Sequence, residues 1–352
     1  MLKWNSFVVA QNREYSRMTM LKKFIIALVA SSLVACQGDS PIESWEHDDR
    51  GLYAADFGKS GELLLVATID NSAQLWSTRH NEKLFKWSHK EKANSDILHA
   101  SLSENGKIGV TADSGNIVVW DAKKGSAIGF WKMPGYITKI SVTENGKYAL
   151  VGYSNRTVQL IDLKNGRSVW QANHNGYIQT LSLSSDGQYA AIGDDDSYLT
   201  VWDINNSKKI FSKSLKSRPR YVKISNHNKY LLLSSSFEQI QILDLMTGEH
   251  VKYLTKYQGF WGKVGNAHYN ILTAQFNRDD SMVLIGAPPR TMYLWNLNTG
   301  AIQQNWQAPK QGTWKPTASL IYAVAFSVDE KYAYCESSDG MGYKWKINQL
   351  DI

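Results

Sequence analysis

The sequence predicts an all-β protein in which the chain forms a closed ring of seven four-stranded sheets, a seven-bladed β-propeller. The first observation is a hairpin of two short β-rich runs, best preserved between Gly187 and Asp203, which ends in Trp-Asp. The second is that its strand-ending position occurs seven times, at spacings of 44, 41, 41, 41, 52 and 50 residues. These positions are Trp76, Trp120, Ile161, Trp202, Leu243, Trp295 and Trp345. Because a repeat of about 40 residues with a final Trp-Asp is typical of propeller blades, seven copies predict seven blades.

The turns that open the hairpins repeat with the same period. They contain Gly61, Gly106, Gly146, Gly187, Asn228, Asp280 and Glu330, each 15 residues before its strand end except Gly106, which lies 14 before. A second turn and an outer strand follow each hairpin, as in EKLFKW and AIQQNW, but the seventh hairpin has none because the chain stops at Ile352. Residues 42–49, IESWEHDD, parallel LFKWSHKE of the first repeat. We therefore expect residues 42–47 to close the ring as the missing outer strand.

Composition supports a folded β protein of modest charge. The chain has 13 Trp, 18 Tyr and only 7 Pro, which excludes a disordered chain and suits many short strands. The formal net charge is +7, but residues 1–35 carry five of the basic residues and one acidic residue, so the rest carries only +3. Because nucleic-acid binding needs a concentrated basic stripe, no nucleic-acid partner is expected.

The amino terminus is predicted to be a signal peptide followed by a lipid anchor. Lys22 and Lys23 precede an apolar run of 11 residues, 24–34, which is too short to span a bilayer but fits a signal peptide. The sequence LVAC that ends at Cys36 resembles the lipobox of bacterial lipoprotein precursors, whose cysteine is acylated and becomes the mature N terminus. The alternatives are an ordinary cleaved signal and a buried apolar strand. We expect a signal peptide at 1–35, with the true start at Met18 or Met20, a lipidated tether at 36–41, and one propeller at 42–352.

Acylation at Cys36 implies a location in the bacterial envelope. Several acyl chains give stable membrane attachment, whereas one chain is marginal. Gln37 after the cysteine, by resemblance to enteric lipoproteins, implies sorting to the outer membrane, with the propeller facing the periplasm. The other cysteine, Cys335, lies in the apolar run KYAYC and is expected to be a buried, inert thiol.

Residues 44–347 resemble the WD-repeat family, most closely at Trp120-Asp121 and Trp202-Asp203. That family has an aspartate six residues before the tryptophan, and here Asp70, Asp196 and Asp339 match it, whereas Ser114, Asn155, Phe237 and Pro289 depart from it. The resemblance implies structural roles for these aspartates and for Trp76, Trp120, Trp202, Trp295 and Trp345. It also implies that His47, His89 or His174 is a structural hydrogen-bond partner at the blade start.

A second resemblance competes with the first. The turn DLKNGRSVW at 162–170 resembles those of quinone-cofactor propellers and of the related outer-membrane assembly lipoprotein. Trp directly before Asp at 120 and 202 favours the WD-repeat interpretation. No redox cofactor is expected on this basis.

The sequence contains no catalytic constellation. Gly58-Lys59-Ser60 resembles the tail of a phosphate-binding loop, but Tyr53 stands where the first glycine is needed. Asp194, Asp195 and Asp196 are consecutive carboxylates that point in different directions, without the loop pattern of a calcium site. The sequence has no HExxH, CxxC or GxSxG motif, and its eight histidines are scattered. We therefore predict no enzyme activity, no metal and no cofactor.

Extra length before the sixth and seventh hairpins predicts the binding site. In a propeller these inserts lie on one face, and they carry aromatic and basic residues beside three arginines. The predicted partner-binding residues are Tyr257, Phe260, Trp261, Lys263, Trp314, Lys315, Arg218, Arg220 and Arg290. Exposed aromatics beside arginines are the composition of an interaction hot spot. The alternative is that these aromatics fold inward and cap the neighbouring blades.

These observations together predict a monomeric envelope lipoprotein that acts as a non-enzymatic scaffold and binds one or more envelope proteins. A rigid disc with many loops suits such assembly, but this step is an analogy at the level of the fold. One alternative is a protein that binds a glycan or small molecule in the central channel. Another is an enzyme with a site at the channel mouth, which would need converging acids or histidines.

Overall fold

The computed structural model describes residues 40–70, 72–89, 96–254, 271–310 and 319–348. In these ranges the regular structure consists of β-strands, which form seven antiparallel sheets of four strands each. The prediction of a seven-bladed propeller is therefore confirmed. None of the described residues belongs to a helix long and apolar enough to cross a membrane.

The strands follow one another from the inner to the outer edge of each blade. The first strand, β1 (Glu43–Glu46), belongs to the last blade. Blade 1 contains β2 (Leu52–Phe57), β3 (Leu63–Thr68), β4 (Ser72–Ser77) and β5 (Glu82–Trp87). Blade 2 contains β6 (His99–Leu102), β7 (Ile108–Ala112), β8 (Asn116–Asp121) and β9 (Ala127–Lys132). Blade 3 contains β10 (Ile137–Val142), β11 (Tyr148–Tyr153), β12 (Thr157–Asp162) and β13 (Arg167–Asn173).

The remaining blades have the same order. Blade 4 contains β14 (Ile178–Leu183), β15 (Tyr189–Asp194), β16 (Tyr198–Asp203) and β17 (Lys208–Ser214). Blade 5 contains β18 (Pro219–Ile224), β19 (Tyr230–Ser235), β20 (Gln241–Asp244) and β21 (His250–Tyr253). Blade 6 contains β22 (Thr273–Phe276), β23 (Met282–Ala287), β24 (Thr291–Asn296) and β25 (Ala301–Gln307). Blade 7 contains β26 (Ile321–Phe326), β27 (Tyr332–Ser337) and β28 (Met341–Lys346), with β1 as its outer strand.

The ring is closed by the two ends of the chain, as expected from the parallel between residues 42–49 and the first repeat. Strand β1 pairs with β28, so that Glu43 lies opposite Lys344 and Glu46 lies opposite Met341. Lys344 Nζ also lies 2.8 Å from Glu43 Oε1. Trp45 is buried and stacks on Tyr334, with ring centroids 6.3 Å apart. The outer edge of blade 7 is therefore covered by β1.

Both faces of the middle strands are buried because each blade packs between two others. The run LLLVAT in β3 illustrates this, with five of its six residues fully buried. Such a strand has no solvent face, so its sequence is a continuous apolar run rather than an alternating one. Apolar clusters fill the space between neighbouring blades; the one between blades 6 and 7 contains Trp306, Trp345 and Phe326.

Side chains on the inner strands also join successive blades. Six of these side chains accept a hydrogen bond from a backbone N–H of the next inner strand. Each bond satisfies a backbone polar group at the wall of the central channel. These bonds run from Leu102 N to Asp56 Oδ2 (2.9 Å), Leu183 N to Ser141 Oγ (3.3 Å), Val222 N to Thr180 Oγ1 (3.1 Å), Ile224 N to Ser182 Oγ (3.1 Å), Ala274 N to Tyr221 Oη (2.9 Å) and Phe326 N to Gln275 Oε1 (2.8 Å).

Candidate protein-binding face

One end of the ring gathers two kinds of loop. Because the four strands of a blade are antiparallel, the turn between its second and third strands lies at the same end as the start of its inner strand. We call this end the upper face and the opposite end the lower face. Backbone hydrogen bonds join the two kinds of loop, as from Ile137 N to Ser114 O (2.9 Å) and from Ser236 N to Arg218 O (2.9 Å). Backbone hydrogen bonds therefore hold the loops of the upper face in place.

Exposed aromatic side chains are concentrated on this face. Among the described residues seven aromatic side chains are exposed, and six of them lie in its loops or at the strand ends beside them. These six are Tyr53, Tyr136, Tyr177, Tyr198, Phe237 and Tyr253. Tyr136 is 69% exposed and Phe237 is 89% exposed. Tyrosine and phenylalanine give large contact area with few rotatable bonds, so they bind at low entropic cost.

Phe237 is the most exposed of these residues and has an unusual backbone. It lies in the turn between β19 and β20 with φ = 63°, a conformation that bulky residues rarely adopt. Leu215, His250 and Tyr253 line a groove with it. Sequence reasoning did not select Phe237 as a site residue, although it noted that Phe stands there in place of the family's Asp. Backbone strain and full exposure at one phenylalanine suggest a functional contact.

Arginines accompany the aromatic residues. The guanidinium of Arg156 lies 4.8 Å from the centre of the Tyr177 ring, a cation–π contact. Arg218 and Arg220 are both exposed, and Arg220 Nε donates a hydrogen bond to Ser236 Oγ (2.7 Å), next to Phe237. Two of the three predicted arginines therefore lie beside Phe237.

Arg290, the third predicted arginine, lies in the corresponding turn of blade 6. It is half-buried, and its Nη1 donates to Ala308 O (2.9 Å). Its backbone N donates to Ser319 O (3.0 Å) in the segment that leads to blade 7. The other predicted binding residues lie outside the described residues, as does the predicted acylation site; they are Tyr257, Phe260, Trp261, Lys263, Trp314, Lys315 and Cys36.

The sequence profile of the family described as outer membrane protein assembly factor BamB matches residues 61–307, which is more than half of the chain. The chain belongs to the BamB family. The match runs from the opening turn of the first hairpin to the end of β25, so it includes Arg218, Arg220, Phe237 and Arg290. A search of the curated proteins finds no match. The turn at 162–170, which resembles that of the outer-membrane assembly lipoprotein, lies inside the matched residues, whereas the WD-repeat type stays a prediction.

The buried polar network of blade 2 in this BamB-family chain links four side chains. Trp120 Nε1 donates to Thr111 Oγ1 (2.8 Å), which lies 2.8 Å from His89 Nε2. His89 Nδ1 lies 3.2 Å from Asp113 Oδ2. If Thr111 donates its hydroxyl proton to Nε2, then Nδ1 carries the ring proton and donates to the carboxylate. Burial lowers the pKa of His89, which favours this neutral ring.

Two other histidines make similar contacts. His174 Nδ1 lies 3.2 Å from Asp194 Oδ2, and His47 Nδ1 lies 3.0 Å from Glu336 Oε2. The acidic partners of the three histidines are therefore Asp113, Asp194 and Glu336, of which Asp194 and Glu336 are buried and Asp113 is half-buried. The predicted aspartates make other contacts: Asp196 is exposed, Asp70 Oδ1 is 2.7 Å from Arg50 Nη1, and Asp339 Oδ1 accepts from Met341 N (3.4 Å).

The predicted structural tryptophans differ in burial. Trp120, Trp295 and Trp345 are buried, whereas Trp76 and Trp202 are half-buried with lysine ammonium groups over their rings. These rings fill the space between neighbouring blades.

The other predicted polar motifs are engaged within the fold. Among the described residues, no group of three or more histidine, cysteine, aspartate or glutamate side chains is placed to hold a metal ion. Asp194 contacts His174, and Asp195 Oδ1 accepts from Tyr177 N (2.6 Å). Residues 58–61 form a turn in which Gly61 N donates to Gly58 O (2.9 Å). Cys335 is buried, and burial raises the pKa of its thiol well above its ordinary value.

Proposed function

We propose that this protein is an assembly factor of the bacterial outer membrane that holds another envelope protein on its upper face. In this proposal it faces the periplasm, is anchored by acylation of Cys36, works as a monomeric propeller and catalyses no reaction. Membership of a family described as an outer membrane protein assembly factor supports the location and the role. The single observation that carries the binding face is the concentration of exposed tyrosine, phenylalanine and arginine at one end of the ring.

The geometry of the face suits protein binding for two reasons. Aromatic and arginine side chains dominate the energy of protein interfaces, where a few of them supply most of the affinity. The loops that carry them are joined by backbone hydrogen bonds, so little further ordering is needed when a partner binds. Tyr177 illustrates both points, because Arg156 holds its ring from one side and Asp195 accepts a hydrogen bond from its backbone.

Replacing Tyr177 and Phe237 together by alanine tests the proposed face. We expect the copurification of outer-membrane assembly proteins from crosslinked cells to fall about tenfold or more, because two exposed aromatic anchors are lost. The matched control is Phe130→Ala, since Phe130 is also an exposed aromatic, 54% exposed, but lies on the outer strand β9. A second pair, Trp261→Ala with Trp314→Ala, tests the predicted inserts. An unchanged partner set in a folded Tyr177/Phe237 variant would refute the proposed face.

A further inference from the structure

The ring encloses a polar channel along its axis. Its upper chamber has a volume of about 310 Å³ and is lined by the inner strands of blades 1 to 5 and by residues 271–272. A lower chamber of about 100 Å³ shares part of this lining, including Asp56, Tyr221 and Lys223. The upper chamber has room for about ten water-sized groups, which is the size of a small metabolite.

Positive charge dominates the upper chamber. Three cationic side chains line it, Lys139, Arg220 and Lys223, against a single carboxylate, Asp56. The neighbours of Lys223 already balance its charge: burial opposes ionisation, but Tyr221, Glu104 and Asp56 together raise its pKa. Lys139, by contrast, is exposed and lines the chamber, and it forms no ion pair with another described residue. Its ammonium group is therefore available to an anion in the chamber.

Three hydroxyl groups of the chamber have no acceptor for their proton among the described residues. Ser141, Thr180 and Ser182 each accept a backbone N–H of the next inner strand through their oxygen. A hydroxyl that accepts in this way keeps its proton to donate. None of the three donates to an acceptor among the described residues, and all three line the upper chamber. The chamber therefore presents an excess of hydrogen-bond donors to whatever fills it.

We propose that the upper chamber binds a small organic dianion, whose oxyanion groups contact Lys139, Arg220 and Lys223 and accept hydrogen bonds from Ser141, Thr180 and Ser182. Carboxylate and phosphate groups share the required chemistry, since both are acceptor-rich and negatively charged. A neutral glycan fits less well because its hydroxyls need acceptors as well as donors. Arg220 belongs to both sites, but neither Tyr177 nor Phe237 lines the chamber.

Calorimetric titration of the full-length chain at low salt tests the site. The probes are succinate, which presents two carboxylates, and glycerol 3-phosphate, which presents a phosphate; glycerol is the neutral control. We expect one or both dianions to bind, glycerol not to bind, and the stronger dianion to identify the preferred oxyanion. Lys139→Met is expected to weaken binding about tenfold or more. Lys139→Arg keeps the charge and is expected to retain most of the affinity.

The matched control is Lys123→Met, because Lys123 is exposed on a turn outside the channel. We expect it to leave binding unchanged. Failure of both dianions to bind would overturn the proposal. If Lys123→Met and Lys139→Met weakened dianion binding equally, the proposal would also be overturned. That result would mean that the dianion is attracted to the positive charge of the whole protein rather than to the chamber. The Tyr177/Phe237 variant should bind the dianion like the unmodified chain, so this proposal and that for the protein-binding face can fail separately.

Discussion

Asp56 and His99 are two half-buried titratable groups on inner strands, and their protonation acts on stability with opposite sign. Burial raises the pKa of Asp56 from 3.8 to about 6, although Leu102 N–H, Lys223 and Ser101 favour its ionised form. Burial lowers the pKa of His99 from 6.5 to about 4, and Lys139 lowers it further while the carbonyl of Ile137 opposes the shift. Between about pH 4 and 6 the folded state therefore keeps a proton on Asp56 and lacks one on His99.

We expect the variants Asp56→Asn and His99→Gln to separate these two effects. Asp56 makes its whole contribution to the free energy of unfolding below pH 3.8, the pKa of the unfolded chain, and this contribution is lost as the pH rises through about 6. The His99 contribution is present above 6.5 and is lost as the pH falls toward 4. In Asp56→Asn only the His99 contribution remains, so its free energy of unfolding should rise as the pH increases from 4 to 6.5. In His99→Gln only the Asp56 contribution remains, so its free energy of unfolding should fall over the same range. Each change is up to about 3 kcal/mol.

Urea unfolding of both variants at pH 4, 5, 6 and 7 measures these slopes. The original chain is the internal control, because the two effects cancel in part and its profile should be flatter than either variant's. Parallel profiles for the two variants would contradict the assigned pKa directions.

Within a blade, the polar network of Thr111, Trp120 and His89 joins the second and third strands to the link from the preceding blade. Thr111→Val removes the hydroxyl that accepts from Trp120 Nε1 and contacts His89 Nε2. Because two buried polar atoms then lose a partner, we expect a loss of about 1–3 kcal/mol in the free energy of unfolding. Ser114→Ala is the control, since Ser114 is exposed on the neighbouring turn, and should change it by less than about 0.5 kcal/mol.

Denaturant titration of the two variants measures whether the contacts of the Thr111 hydroxyl stabilise the fold. If Thr111→Val costs no more than Ser114→Ala, the hydroxyl is not part of the stabilising network. Near-equal slopes of the unfolding curves would show that both variants report stability alone.

The repeat predicts the blades well because each is a local unit that recurs at a nearly constant spacing. It also predicts β1 as the closing strand, since Trp45 stands where Trp87 stands in the first repeat. The acidic partners of the histidines were not predictable in the same way. Asp113, Asp194 and Glu336 lie seven, eight and nine residues before their tryptophans, so turn length decides which carboxylate reaches the histidine.

The candidate sites were less predictable than the fold because they combine residues from different blades. Arg218 and Arg220 could be selected from their sequence as exposed arginines near the inserts. Phe237 was only a departure from a repeat pattern, and its exposure follows from a turn with positive φ. Lys139 and Ser182 lie on different blades and become neighbours only when the inner strands surround one channel.

At the scale of the whole molecule, the proposed anchor at Cys36 has a direct test. We expect palmitate labelling of the full chain, and Cys36→Ala should abolish the label and release the protein from the membrane fraction, because no acyl chain then remains. Cys335→Ala is the matched control, since Cys335 is buried and should contribute no label. Retention of Cys36→Ala in the membrane after a high-salt wash would contradict the anchor.

The direction of β1 has a consequence for such an anchored molecule. Glu43 pairs with Lys344 near the lower face and Glu46 pairs with Met341 near the upper face, so the chain enters the ring at the lower rim. In the proposed lipoprotein the tether at 36–41 would therefore join the ring at its lower rim, the end opposite Phe237 and the exposed tyrosines. A partner on the upper face and the start of the tether would then occupy opposite ends of the ring.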